Sequence, residues 1–330
     1  MPDTLRQERN LLSKVFGLRT SIREQKHVYP KLLRDSKDHC RERDCVDIMT
    51  MSTLVDFCYS DETAINQGEF QLLANDLEGN GSTQTTKFPK ESTIDLPPEY
   101  DICNTEVTRI TLAEAAALEA RTADQCQCQE WFVARSTRLT ASNFHRIVRR
   151  KKEVNDAFLK SLFDPAPFFN KFTQYGKKSE APALDRYLER NTRAHFHPCG
   201  FVVNPKFSFL GATPDGKVCE EDICGILEIK CPYNARGMSI EEACAASPDF
   251  HLVKVHGGGF QLKAMHRFND QVQGQLMLTG ADWCDLVTYT QKDLHIQRIY
   301  PDTKVHKSML NKLSEFYKEH AIGYLKAKKA

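Results

Sequence analysis

The stretch "GATPDGKVCEEDICGILEIKCPY" occupies residues 211–233. Asp215 follows a proline, and Glu228 and Lys230 stand two apart within "LEIK". Alternation along a strand puts Ile226, Glu228 and Lys230 on one face and Leu227 and Ile229 on the other. Pro214 cannot sit inside a ladder, so Asp215 belongs to the end of the preceding arm. Turning back through "GKVCEEDICG" brings Asp215 beside Glu228. Two carboxylates at close range repel unless a positive charge lies between them. A hard cation satisfies both, and Mg2+ takes oxygen from one or two carboxylates plus substrate phosphates. The Ile229 backbone carbonyl offers a further oxygen. Lys230 then stands where a metal-bound water would be, to orient it or accept its proton. This set suits hydrolysis of a phosphodiester by a metal-activated water. A surface hairpin with a solvated Glu–Lys pair is the plain alternative, and the Pro-Asp-Gly and apolar flanks weigh against it.

The chain around this stretch has 330 residues and a formal net charge of +1. No global field marks a nucleic-acid partner, so any such binding must come from local patches. No run of about 18 apolar residues exists, which excludes a membrane-spanning helix. The N-terminus lacks the apolar core of a signal peptide. The expected location is therefore intracellular, nuclear or cytoplasmic, without secretion. Twelve cysteines are scattered without a C-x-x-C pair. Cys126 with Cys128, His39 with Cys40 and Cys45, and His195 with His197 and Cys199 are fragments of zinc patterns. Reduced thiols and strand-edge histidines in a reducing compartment account for them more simply.

Three regions follow from composition. Residues 1–73 carry apolar spacing of helical type and read as a helical region of unknown role. Residues 74–104 are rich in Gly, Ser, Thr, Asn and Pro and read as a linker or mobile loop. Residues 105–330 read as the main domain. Within it "TLAEAAALEARTADQ" predicts a helix. Thr140 or Ser142 is placed to cap a helix whose Phe144, Ile147 and Val148 share a face. "SEAPALDRYLERN" predicts another helix, followed by short strands at 201–203, 207–212 and 225–230. "HGGGF" (256–260) lacks a nucleotide-binding fingerprint and reads as a flexible connection. "FNDQVQGQLMLTG" returns to helical spacing, "WCDLVTYT" and "LHIQRIY" alternate as a hairpin, and an amphipathic helix closes the chain. This order suggests an α/β domain with a central mixed β-sheet flanked by helices.

The hairpin resembles the PD-(D/E)xK nuclease motif, and the likeness extends beyond it. "WFVARSTRLTASNF" is similar to the "W…R…ITAS" element of phage lambda-type exonucleases and YqaJ-type viral recombinases. "YGKKSEAPALDRYL" resembles their "G…E…A" helix, "TPDG…LEIKCPY" their central hairpin, and "DQVQGQLMLTGADWCDLVTYT" their helix-then-strand ending. The four elements occur in the family's order over roughly residues 125–300. The first 110 residues have no assigned counterpart.

The resemblance implies a restriction-endonuclease-like core and a Mg2+-dependent DNA nuclease of recombination or repair, with Mn2+ as a substitute metal. An exonuclease acting on double-stranded DNA with a free end is the expected form. An endonuclease of the same fold and a non-catalytic DNA-binding module remain the alternatives. The family includes ring-like oligomers, which leaves a homo-oligomer open. Asp215, Glu228 and the Ile229 carbonyl would hold the metal, and Lys230 would position the attacking water. Glu180 would complete the acidic cluster and serve a second metal. Gln271 would hydrogen-bond near the water, a choice among Gln271, Gln273 and Gln275 that rests on the resemblance. Arg135 and Ser142 would bind a terminal phosphate or the neighbouring backbone.

The residues themselves support a phosphate site there. Arg135, Arg138, Arg146, Arg149, Arg150, Lys151 and Lys152 crowd one stretch without an acid, and Thr140 and Ser142 begin a helix inside it. A helix start with hydroxyls and arginines is suited to phosphate. Glu220, Glu221 and Asp222 read as a solvated turn, and Trp131 and Trp283 as packing residues. Pro182 leaves two options for Glu180: Ser179 caps a helix that starts there, or a longer helix is bent.

Overall fold

The structure is a computed structural model and describes residues 88–165, 170–221 and 223–329. The helical region expected over residues 1–73 lies outside the described residues, as do residues 74–87, His39, Cys40 and Cys45. Residues 88–104 belong to the stretch expected to be a linker, but they pack. Phe88, Ile94 and Cys103 are buried. The Lys90 N–H donates to the Thr279 carbonyl at 2.8 Å, and Lys206 Nζ to the Ser92 carbonyl at 2.9 Å. The low periodicity of this strap reflects the absence of a regular ladder, while its polar groups still find partners.

Helix α1 (Leu112–Arg121) starts at Thr111, whose side chain and that of Glu114 form a reciprocal capping box. Then come α2 (Gln129–Arg135), β1 (Leu139–Thr140), α3 (Ala141–Val148) and α4 (Asp156–Phe163). Helix α5 (Lys171–Arg190) is one continuous helix with Pro182 inside it, capped by Asn170. Of the two options at Pro182 the longer helix is the observed one, and Ser179 lies buried within it. Strand β2 (His195–His197) follows. The strands expected at 201–203 and 207–212 are nearly absent. Val202 forms only an isolated bridge with Ala212, Pro205–Phe207 is a 3-10 turn, and β3 is Leu210–Gly211. Phe201, Val203, Phe207 and Phe209 are buried. Their apolar run signalled burial, which a periodicity argument cannot separate from sheet pairing.

The remaining elements are β4 (Gly216–Glu220), β5 (Ile223–Lys230), α6 (Ile240–Ala246), β6 (Leu252–Lys254), β7 (Phe260–Leu262), α7 (Arg267–Thr279), β8 (Cys284–Tyr289), β9 (Leu294–Ile299), α8 (Thr303–Phe316), a π turn (Tyr317–Ala321) and α9 (Ile322–Lys329). "HGGGF" proves to be the turn of the β6–β7 hairpin, where Gly257, Gly258 and Gly259 all take positive φ. Strands β2, β4, β5, β8 and β9 form the main sheet in that order. Its β5–β8 pair is parallel and its other pairs are antiparallel, so the sheet is mixed as expected.

Alternation along β5 sorts its residues between two layers. Leu227 and Ile229 pack with Ala183 and Tyr187 of α5. Ile226 packs with Val272 and Leu276 of α7 on the other face. Helix α7 in turn lies against α3 with a glycine at the crossing: a Cβ on Gly274 would stand 2.5 Å from the Phe144 ring. Gly280 ends α7 at φ +68°, a left-handed cap that glycine accepts without strain.

Two expectations for the hairpin change. Cys219 and Cys224, directly opposite across β4–β5, form a disulfide. The other described cysteines are free thiols. Glu220, expected in a solvated turn, instead pairs with Arg298, which also grips the buried Asp285 and lies 3.7 Å above the Trp283 ring. A guanidinium presents several donors in one plane, so it joins two carboxylates and a ring face at once. No described helix is long and apolar enough to cross a membrane.

Candidate active site

Asp215 sits where the β4 ladder stops. Its N–H still donates to the Leu227 carbonyl at 3.0 Å. Beyond that, the Asp215 carboxylate takes over as acceptor, receiving the Ile229 N–H on Oδ2 at 2.6 Å. Pro214 just before it has no N–H, so the ladder cannot continue through it, and the Asp215 side chain supplies the acceptor for the Ile229 N–H. Glu228, 2 % exposed, points from β5 toward α7. Lys230, on the same face two residues on, donates to Glu228 Oε1, as alternation requires.

Helix α7 contributes two amides. Gln271 Nε2 donates to Glu228 Oε1 and Gln275 Nε2 to Glu228 Oε2, each at 2.6 Å. Positions four apart share a helix face. Gln273, between them, points the other way and bonds the Tyr300 carbonyl, the Asp302 N–H and His306. The sequence reading singled out Gln271 and missed Gln275, although the i, i+4 spacing in "QVQGQ" was a usable signal. Gln275 also leaves its own Oε1 buried without a partner.

Charge is concentrated here. Burial, then the Glu228 charge, hold the Asp215 carboxyl well above the usual range, against the pull of Lys230 and the Ile229 N–H. For Lys230 burial acts downward, but the Glu228 and Asp215 charges outweigh it, so its ammonium is held above its ordinary value. Phe268 adds its ring face 4.6 Å from Lys230 Nζ.

Glu180 reaches this region from α5, on the opposite face of the sheet from α7. Surrounding protein and the Glu228 charge raise its carboxyl, while its side chain stays open at the surface. Among the described residues no group of three His, Cys, Asp or Glu side chains is arranged to hold a metal ion. The zinc fragments at Cys126/Cys128 and His195/His197/Cys199 therefore do not assemble among the described residues, whereas Glu180 is near enough to act electrostatically on Asp215, and Glu228 on Glu180. The donor set at Asp215 and Glu228 still fits Mg2+, which keeps much of its water and needs only one or two carboxylates. Two mutually repelling carboxylates and a backbone carbonyl at Ile229 are hard oxygen donors of the right kind.

The basic stretch is sorted by packing. Arg138 is buried and gives its donors to the carbonyls of Ser208, Ala134 and Thr108 at 2.9–3.0 Å. Buried and bonded to three carbonyls, it braces the fold and does not face solvent, which differs from the phosphate-binding position expected for it. Arg149 pairs with Asp270, Arg146 bonds Asn143 and Ser161, and Arg150 lies 3.6 Å over the Phe158 ring. Thr140 stands at the start of α3 but is buried, makes no side-chain cap, and contacts Ser142 and Asn143. Ser142 is exposed.

Arg135 remains, tied to the segment that leads to Asp215. Its guanidinium lies 4.0 Å over Trp131, and both Arg135 Nη1 (3.4 Å) and Trp131 Nε1 (3.1 Å) donate to Thr213 Oγ1. Burial lowers Arg135 to about 10, which leaves it charged at neutral pH. Trp131 packs against the cluster of Leu118, Ala134, Phe201 and Val203, as expected, and is also a platform that ties α2 to the segment leading to Asp215.

Residues 130–282 match the YqaJ-like viral recombinase domain. Among solved structures the chain is similar to the alkaline exonuclease LHK-Exo from Laribacter hongkongensis, at 25% identity over 61% of this chain and 97% of that one, with a TM-score of 0.47. It is also similar to the Shutoff and Exonuclease Protein from Kaposi's sarcoma-associated herpesvirus, at 12% identity over 64% of this chain and 74% of that one, TM-score 0.45. A phage-related exonuclease from Haemophilus somnus is similar at 15% identity over 58% of this chain and 96% of that one, TM-score 0.36. No curated protein matches.

Proposed function

We propose that this chain, whose residues 130–282 match a YqaJ-like viral recombinase domain, is a Mg2+-dependent DNA exonuclease of recombination. The observation that carries the reading is the Asp215–Glu228–Lys230 group. It stands at the open end of the β4–β5 hairpin, and the two amides of α7 lock Glu228 in place. Asp215, Glu228 and the Ile229 carbonyl would hold the ion. Bound Mg2+ supplies charge for the scissile phosphate and a water of lowered pKa.

The chain's own residues do the rest. Gln271 and Gln275 fix the Glu228 carboxylate in one orientation, which limits the reorganisation needed when the cation enters. Lys230, cationic beside that carboxylate, positions the attacking oxygen and the non-bridging phosphate oxygens. Arg135, stacked on Trp131 and held at Thr213, and the exposed Ser142 hold the neighbouring or terminal phosphate. Glu180, whose charge acts on Asp215, would complete the acidic cluster and serve a second metal. Double-stranded DNA with a free end is the substrate this arrangement is taken to serve.

The test is release of nucleotides from linear duplex DNA in Mg2+, with Lys230→Ala as the control. Activity in the parent and its loss in Lys230→Ala, with the fold intact by circular dichroism, is the expected result. Inactivity of the folded parent would overturn the reading. A covalently closed circle distinguishes the two nuclease forms: the exonuclease leaves it uncut.

A further inference from the structure

Beside the cleavage group lies an aromatic ledge that the site above does not use. Strand β5 ends at Lys230, and Tyr233 opens a short 3-10 turn just after it. The first turns of α5 meet that turn. The Phe172 ring is 5.1 Å from Tyr233 at 77°, and the Tyr175 ring is 5.6 Å from it at 82°. Two cations frame the group. Lys171 Nζ lies 5.4 Å from both Phe172 and Tyr233, and the Arg236 guanidinium lies 4.2 Å from the Tyr233 ring.

Packing does not account for this group. None of the three rings belongs to the hydrophobic cores of the domain. Phe172 is 46 % exposed. The Tyr175 hydroxyl is buried with no hydrogen-bond partner. A Cβ at Gly176 or at Gly237, on either flank, would meet nothing within 4 Å. Among the described residues the open part of the ledge is thus the Phe172 ring, backed by the half-buried Tyr175 and Tyr233 close after Lys230.

The geometry points to a stacking site for an unpaired nucleotide of the DNA strand presented to the cleavage group. The inference rests on the nuclease reading. An exposed ring offers a π face to any base, whatever its sequence, and flanking cations pair with the phosphates on either side. Bases inside a duplex are already stacked on each other, so only a base freed from the helix has a face to give. Lys171 and Arg236 complement a polyanion rather than an uncharged apolar peptide, which selects the strand as the occupant.

The full chain carrying Lys230→Ala, which prevents cleavage, is titrated with a duplex bearing 2-aminopurine at an unpaired terminal position. Stacking on the ledge quenches the fluorophore. Replacing Phe172 with Leu in that background keeps an apolar side chain and removes the π face. It is expected to abolish the quench and weaken binding of the frayed end by about tenfold. Phe172→Trp is expected to restore both. An unchanged quench in Phe172→Leu, or a loss that Phe172→Trp does not restore, overturns the ledge. Cleavage by the parent is scored separately on linear duplex. Cutting without a Phe172-dependent quench sinks the ledge alone. A Phe172-dependent quench in a protein that never cuts sinks the nuclease reading and leaves the ledge as a DNA-binding site.

Discussion

Gln275 donates its side-chain amide to Glu228 Oε2 at 2.6 Å, and both residues are almost wholly buried. A buried carboxylate held at both oxygens cannot rotate away when a cation arrives. Replacing Gln275 with Leu leaves Oε2 without a donor, a loss of about 1–3 kcal/mol for a buried acceptor. The Mg2+ concentration for half-maximal hydrolysis is expected to rise by about 10–100-fold, the usual effect of losing a residue that orients a metal ligand. Gln273→Leu is the matched control. Gln273 bonds Tyr300, Asp302 and His306, so its loss lowers the melting temperature and leaves the Mg2+ dependence in place.

Arg135 and Arg138 separate binding from folding. Arg135→Ala is expected to raise the KM for DNA about tenfold and to flatten its salt dependence by about one unit of slope, since a phosphate contact is lost. Arg138→Met is expected to lower stability by about 3 kcal/mol, because three carbonyls lose a charged donor, with no change in salt slope. Urea unfolding and binding titrations at several salt concentrations report both effects.

The raised Asp215 carboxyl makes stability depend on pH in a set direction. Its folded form holds the proton more tightly than the unfolded chain does. Its contribution is therefore complete below the ordinary carboxylate range and is lost as pH rises through the folded value. In chelator the melting temperature is expected to fall across that rise. Asp215→Asn is expected to flatten the dependence, and Mg2+ to offset it by neutralising the ionised pair. A melting series against pH, with chelator and with Mg2+, checks the sign. A metal-free profile that climbs over the same window contradicts the assignment.

Gly274 is where α3 and α7 cross. Gly274→Val puts a side chain against the Phe144 ring, whose nearest atom lies 2.5 Å from the position of a Cβ. Overpacking of this kind costs about 1–3 kcal/mol. Since α7 carries Gln271 and Gln275, activity is expected to fall together with stability. Gly237→Ala, which meets open space, is expected to leave stability nearly unchanged.

The sequence by itself settled that Glu228 and Lys230 share a face, because strand alternation is a local rule of period two. It placed Asp215 at the end of a ladder, because proline has no N–H to donate. It also located α1, α3, α7 and the β8–β9 hairpin, because capping and periodicity are written in neighbouring residues. Tertiary packing decided the rest. It buried Arg138 and left Arg135 as the arginine next to Thr213. It paired Gln275 with Glu228 and turned Gln273 away, kept Glu180 on the far face of the sheet, and tied Glu220 to Arg298. These outcomes depend on which residues from distant segments share a volume, and spacing along the chain carries no information about a partner 100 residues away.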